Sequence, residues 1–181
     1  NAADSTGGIT VTGGAALQQA TGGTGKDSIT LGADLADKGF VKTGARNDKV
    51  DIAAHAVAKG AVIELGDGDD SFVGTGVVNK DAVIDGGAGK DTLAAKLVNA
   101  VNVGAFKNFE NLDLVGLGNA TLDADLFAVN NTIEKLVLSG NSGNAAATVT
   151  NVAAGVGLEI TASDANGVVI GQKGVTTGGT V

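Results

Sequence analysis

Apolar and polar residues alternate along the chain in short runs separated by glycine-rich turns. SIT (28–30), KVD (49–51), SFV (71–73) and TLA (92–94) each set a large apolar residue directly after a polar one. GFVK (39–42), GAVIE (60–64) and DAVID (81–85) form a second series, short apolar runs that read as a second strand in each unit. Period two predicts half-buried strands. The series recur every 21–22 residues, and a fixed period in that range marks a stacked-coil architecture. The expected fold is therefore all-β: a right-handed parallel β-roll or β-solenoid of 21–25-residue coils, roughly eight of them, each advancing about 4.8 Å along the axis.

The rhythm continues past residue 95. FENLDLVG (109–116) and IEKLVLSG (133–140) share apolar-Glu-x-Leu-x-Leu-x-Gly, with Glu110 and Glu134 spaced 24 apart, and GLEITAS (157–163) repeats it loosely. Leu112, Leu114, Leu136, Leu138, Leu158 and Ile160 are expected on one inner face, with Glu110, Glu134 and Glu159 as a column of structural acids. Residues 96–101 and 123–129 read as short helical or irregular excursions. Nothing resembling a linker separates the halves. Residues 1–94 and 95–181 are expected to form one elongated unit, the first part carrying the turn chemistry and the second continuing without it.

That chemistry is a nonapeptide. GGTGKDSIT (22–30), TGARNDKVD (43–51), LGDGDDSFV (65–73) and GGAGKDTLA (86–94) fit Gly-Gly-x-Gly-x-Asp-x-apolar-x, two perfectly and two with losses. Its aspartates are Asp27, Asp48, Asp70 and Asp91, and its apolar position holds Ile29, Val50, Phe72 and Leu93. Gly23, Gly25, Gly44, Gly66, Gly68, Gly87 and Gly89 allow positive φ and close backbone approach, so carbonyl oxygens can turn toward one point, to which the aspartate adds a carboxylate. Six to eight oxygens at about 2.3–2.6 Å suit Ca2+ better than Mg2+. Asp67 and Asp69 are further candidate ligands or simply solvated acids. In the second repeat Thr43 and Arg46 replace glycines, which weakens the two sites that repeat shares; the Asp70–Asp91 pair is the better one. The opposite turns, GADLADK (32–38), AAHAVAK (53–59) and GTGVVNK (74–80), lack the motif, so metal is expected along one side only.

Composition narrows the alternatives. The 181 residues hold no Cys, Met, Trp, Tyr or Pro, five Phe and one His. Thiolate and multi-histidine metal sites are excluded, as is cysteine catalysis. The acids are 16 Asp against 4 Glu, a bias toward turns rather than solvated helix faces. A net charge of −8 and scarce aromatics argue against nucleic acid. No apolar run approaches a membrane span. A glycosidase would need two carboxylates across a cleft with aromatic platforms, so no catalytic residue is expected, and His55 reads as a loop histidine.

The nonapeptide resembles that of the RTX (repeats-in-toxin) calcium-binding proteins. With the Glu-x-Leu coils and the Ala/Thr/Val/Gly-rich, cysteine-free composition, the chain is most similar to the RTX-type surface-layer proteins of Gram-negative bacteria. The resemblance spans residues 20–140 best. It implies Ca2+ held between stacked turns, each site using two motif aspartates and glycine-turn carbonyls. It also implies type I secretion, a place on the extracellular cell surface and self-association in a two-dimensional lattice, with cell-surface polysaccharide bound through other parts of a longer protein. The alternative it leaves is a calcium-folding module of a secreted enzyme or adhesin.

Overall fold

The computed structural model describes residues 6, 8, 10–12, 19–143, 146–161 and 167–174. The described chain is a parallel β-solenoid of about 7 turns of roughly 22 residues, with almost no helix. Its strands, β1 to β16 in chain order, fall into three parallel sheets. The longest runs through β1 (Thr10–Thr12), β3 (Ser28–Thr30), β5 (Lys49–Asp51), β7 (Ser71–Val73), β9 (Thr92–Ala94), β11 (Asn111–Asp113), β13 (Lys135–Leu138) and β15 (Gly157–Ile160), paired in that order. Its eight strands lie one turn apart and so enclose seven turns.

A second sheet stacks β2 (Gln19–Thr21), β4 (Phe40–Ala45), β6 (Val62–Asp67), β8 (Val83–Ala88) and β10 (Phe106–Lys107). The third stacks β12 (Thr121–Asp123), β14 (Ala147–Val152) and β16 (Val168–Gln172). The first sheet crosses residue 94 without a break, through β9, β11 and β13. The excursions read at 96–101 and 123–129 contain short 3₁₀ turns, Ala95–Leu97 and Ala124–Val129, and a third, Val103–Ala105, follows the first.

Parallel in-register stacking places identical positions above one another, so the core is built of columns. Ile29, Val50, Phe72, Leu93, Leu112 and Leu136 form one buried column. Ala20, Val41, Ile63, Ile84 and Phe106 face it from the second sheet. On the turn side without the motif, Leu35, Val57 and Val78 bridge as a third buried column. The Phe72 and Phe106 rings meet across the core at 6.3 Å between centroids, tilted by 56°. Each coil alone is too thin to bury such side chains, and stacking supplies the missing neighbours.

Two asparagines close the columns where coil length changes. Asn102 is buried, and its Nδ2 donates to the carbonyls of Val78 (3.2 Å) and Leu97 (3.0 Å). Asn131 accepts the Phe109 N–H at 3.0 Å and donates to the Phe106 carbonyl at 3.1 Å. Both satisfy backbone groups that the irregular segments leave without a ladder partner.

Two expectations need correction. Leu158 and Ile160 stand in register with the buried Leu136 and Leu138, on the same face, but are 47% and 58% exposed on β15, the terminal strand of its sheet. Glu159 is not in the column of Glu110 and Glu134. Leu158 pairs with Leu136, which puts Glu159 beside Val137 instead. The spacing of 25 residues matched, but the register of the last coil is set by its leucine, not by its acid. Residues 162–163 of the GLEITAS run lie outside the described residues.

Candidate metal centre

The glycines of the nonapeptide are not loose turn residues. Gly44, Gly66 and Gly87 lie inside β4, β6 and β8, paired in register, with φ of +114°, +110° and +103°. A Cβ on Gly66 would collide with the carbonyl oxygen of Gly44, and one on Gly87 with that of Gly66. Glycine is required here on two counts, left-handed φ and close approach of the neighbouring coil. The Gly23 carbonyl already accepts from Ala45 N–H at 3.2 Å. Gly25 stands two residues before Asp27, and Gly68 and Gly89 take φ of +140° and +142° directly after β6 and β8, in the bends that follow.

The four motif aspartates are brought together, one per coil, and all are at most 3% exposed. Their arrangement is a staircase. Asp27 N–H donates to Asp48 Oδ1 at 2.6 Å, Asp48 N–H to Asp70 Oδ1 at 2.7 Å, and Asp70 N–H to Asp91 Oδ1 at 2.8 Å. Asp91 N–H then donates to Glu110 Oε2 at 2.9 Å. The column therefore runs one coil beyond the motif, ending on a glutamate whose extra methylene spans a shorter step of 19 residues. No nonapeptide marks Glu110, which the Glu-x-Leu repeat placed among structural acids; its place one residue before the strand of the next coil, as for each motif aspartate, is the signal for this role.

Each internal carboxylate thus uses one oxygen for backbone. The other oxygen, Oδ2 of Asp48, Asp70 and Asp91, is buried without a hydrogen-bond partner. Burial pushes these carboxyls up: Asp48 is raised, Asp70 reaches about 7 and Asp91 about 6, with neighbouring acids adding to the desolvation at Asp70 and Asp91. A buried, unpaired carboxylate oxygen is costly and calls for a proton or a cation.

The surroundings differ from coil to coil. Gly22, Thr43, Leu65 and Gly86 occupy equivalent places beside the column. Thr43 and Leu65 are fully buried there, and the Thr43 hydroxyl donates to the Leu65 carbonyl. Asp27 Oδ2 accepts the Gly23 N–H at 2.9 Å.

The remaining candidates stand apart. Asp67 is exposed at the end of β6, and Asp69 is exposed with its Oδ1 accepting Lys90 N–H at 2.9 Å. Arg46 is exposed in the left-handed region (φ 78°) and makes no ion pair among the described residues. His55 lies 3.6 Å from Asp34. A cleft of about 410 Å³ beside the column is lined by Lys26, Asn47, Lys49, Asp69 and the column's own Asp27 and Asp48.

Calcium is the ion that the nonapeptide resemblance implies, and the donor set fits a hard cation in part. All donors are oxygen, and three are buried without a partner. Among the described residues no three His, Cys, Asp or Glu side chains converge to hold an ion. An ion here would take one or two column carboxylates and complete its shell with backbone carbonyls and water. Comparison with protein-family models, with curated proteins and with solved structures finds no match to this chain.

Proposed function

We propose that the chain is a structural segment of a secreted, RTX-type surface-layer protein, in which calcium bound along the aspartate column drives folding and lattice assembly. The observation that carries this reading is the row of buried Oδ2 atoms on Asp48, Asp70 and Asp91. Stacked about 5 Å apart, two such charges repel by roughly 3 kcal/mol at an effective dielectric of 20. A divalent ion reverses that sign, so its binding free energy becomes folding free energy. With affinities in the range of extracellular calcium modules, about 10⁻⁴–10⁻³ M, the column would be loose in a calcium-poor cytoplasm and close outside the cell. Exposed Leu158, Ile160 and Val169 supply apolar surface for contact between copies. No part of this reading needs a catalytic group.

The test is calcium titration followed by circular dichroism and calorimetry. Calcium should raise the melting temperature, and chelation should loosen residues 20–94 before the later coils. Identical melting in calcium and in chelator would refute the reading.

A further inference from the structure

Asp91 differs from the three motif aspartates before it. At Asp48 and Asp70 the space beside the column is taken by the buried side chains of Thr43 and Leu65, and Asp27 Oδ2 already holds the Gly23 N–H. At Asp91 the equivalent residue is Gly86, which places no side chain there. A Cβ placed on Gly86 would sit 2.8 Å from Asp91 Oδ2 and would collide with the carbonyl oxygen of Asn108. Two oxygens therefore face one small volume. Asp91 is 0% exposed, and its Oδ2 has no hydrogen-bond partner.

The fifth coil supplies what surrounds them. Asn108 takes a left-handed conformation (φ 58°), and its side chain donates to Asp85 Oδ1 at 2.7 Å, which fixes the turn that carries its carbonyl. Asp85 is further paired with Lys107 at 2.9 Å, so that acid is already neutralised. Glu110 is held against Asp91 by the 2.9 Å bond from Asp91 N–H. Lys90, the cationic residue that precedes Asp91 in the chain, is engaged by Glu134 at 2.6 Å.

We propose that the junction between the fourth motif turn and the motif-free fifth coil is a divalent-cation site in its own right, with Asp91 Oδ2, the Asn108 carbonyl and the Glu110 carboxylate as its protein ligands. Calcium is the cation whose oxygen preference and tolerance of irregular geometry suit two carboxylates, a carbonyl and water. The site lies outside the three intervals between motif turns, and it depends on Gly86 because no side chain there separates Asp91 Oδ2 from the Asn108 carbonyl. It rests on the calcium reading above and names where one ion goes.

The experiment is isothermal titration of the 181-residue chain with Ca2+, on wild type, Glu110→Gln, Gly86→Ala and Glu64→Gln. The Glu110→Gln change keeps an acceptor for Asp91 N–H and removes only charge. The methyl introduced by Gly86→Ala fills the cradle, and circular dichroism shows whether that variant folds. Glu64, in an exposed pair with Lys42, is the charge control. The expected result is loss of one calcium equivalent, or weakening of one by about tenfold, in Glu110→Gln and in folded Gly86→Ala, with Glu64→Gln unchanged. Wild-type stoichiometry and affinity in Glu110→Gln would overturn this site while leaving calcium binding intact. A wild-type chain that binds no calcium would overturn the broader reading with it.

Discussion

Asp48 and Asp70 lie in adjacent coils, and the backbone N–H of the first donates to the carboxylate of the second at 2.7 Å, with both residues buried. The bond makes Asp70 an acceptor that the stack needs and a charge that the stack resists. Burial wins over the bond, and the Asp70 carboxyl is pushed up to about 7.

The pH dependence of the metal-free protein follows. An unfolded aspartate titrates at about 3.9, so between about pH 4 and pH 7 the folded chain binds more protons than the unfolded one, and stability falls as pH rises. Its share is fully present below about pH 4 and is lost through the folded values of about 6 and about 7 for Asp91 and Asp70. Melting in metal-free buffer should drop by roughly 10 °C from about pH 5 to about pH 8. A melting temperature that climbs over this interval would contradict it. Calcium should flatten or invert the trend.

Asp70→Asn separates the two roles. The amide keeps an oxygen for Asp48 N–H but carries no charge. Without metal at about pH 8, we expect the variant to melt above wild type, by an amount corresponding to about 1–2 kcal/mol. With calcium the order should reverse, because one ligand charge is gone. Differential scanning calorimetry in both buffers reads the crossover, and parallel shifts in both would argue against it.

Gly66→Ala should be severe and Gly104→Ala mild. The first combines φ of +110° with collision against the Gly44 carbonyl; the second has nothing within 4 Å of the new methyl. Expected losses are at least about 2 kcal/mol against less than about 0.5, from urea unfolding. Equal effects would mean that the coils are not in close contact at the glycine column.

Asn131→Ala removes an acceptor from Phe109 N–H and a donor from the Phe106 carbonyl, both buried. Orphaned buried groups cost about 1–3 kcal/mol each, so the variant should lose roughly 2–6 kcal/mol. Hydrogen exchange of the Phe109 amide should accelerate with it. A protected amide would show that another acceptor takes over.

The columns were legible because parallel stacking converts sequence period directly into spatial register. Ile29, Val50, Phe72 and Leu93, and the aspartates two residues before each, needed only spacing to be placed. What the period could not show was where each carboxylate oxygen points, since that depends on the backbone of the next coil. Glu110 was hidden because 19 residues separate it from Asp91 where the motif steps by 21 or 22. Gly44, Gly66 and Gly87 read as turn residues and proved to be strand residues, because an open-φ glycine can continue a parallel ladder when the neighbouring coil brings a carbonyl to its bare face. Leu158 has the alternation of a core residue; alternation reports a strand with two different faces but not whether a layer covers one of them.

The staircase of Asp N–H groups onto the carboxylates of the following coils has a consequence for how such a chain can change length. Every internal coil receives and gives the same bond. A duplicated segment of 21 or 22 residues, copied in tandem from one aspartate to the next, would find an acceptor waiting on one side and a donor on the other. Growth or loss of whole coils by unequal recombination requires no compensating mutation in the column, whereas insertion of a single residue within a strand puts the rest of that strand's side chains on the wrong face. The array is built so that its length can drift in whole units while its chemistry stays constant.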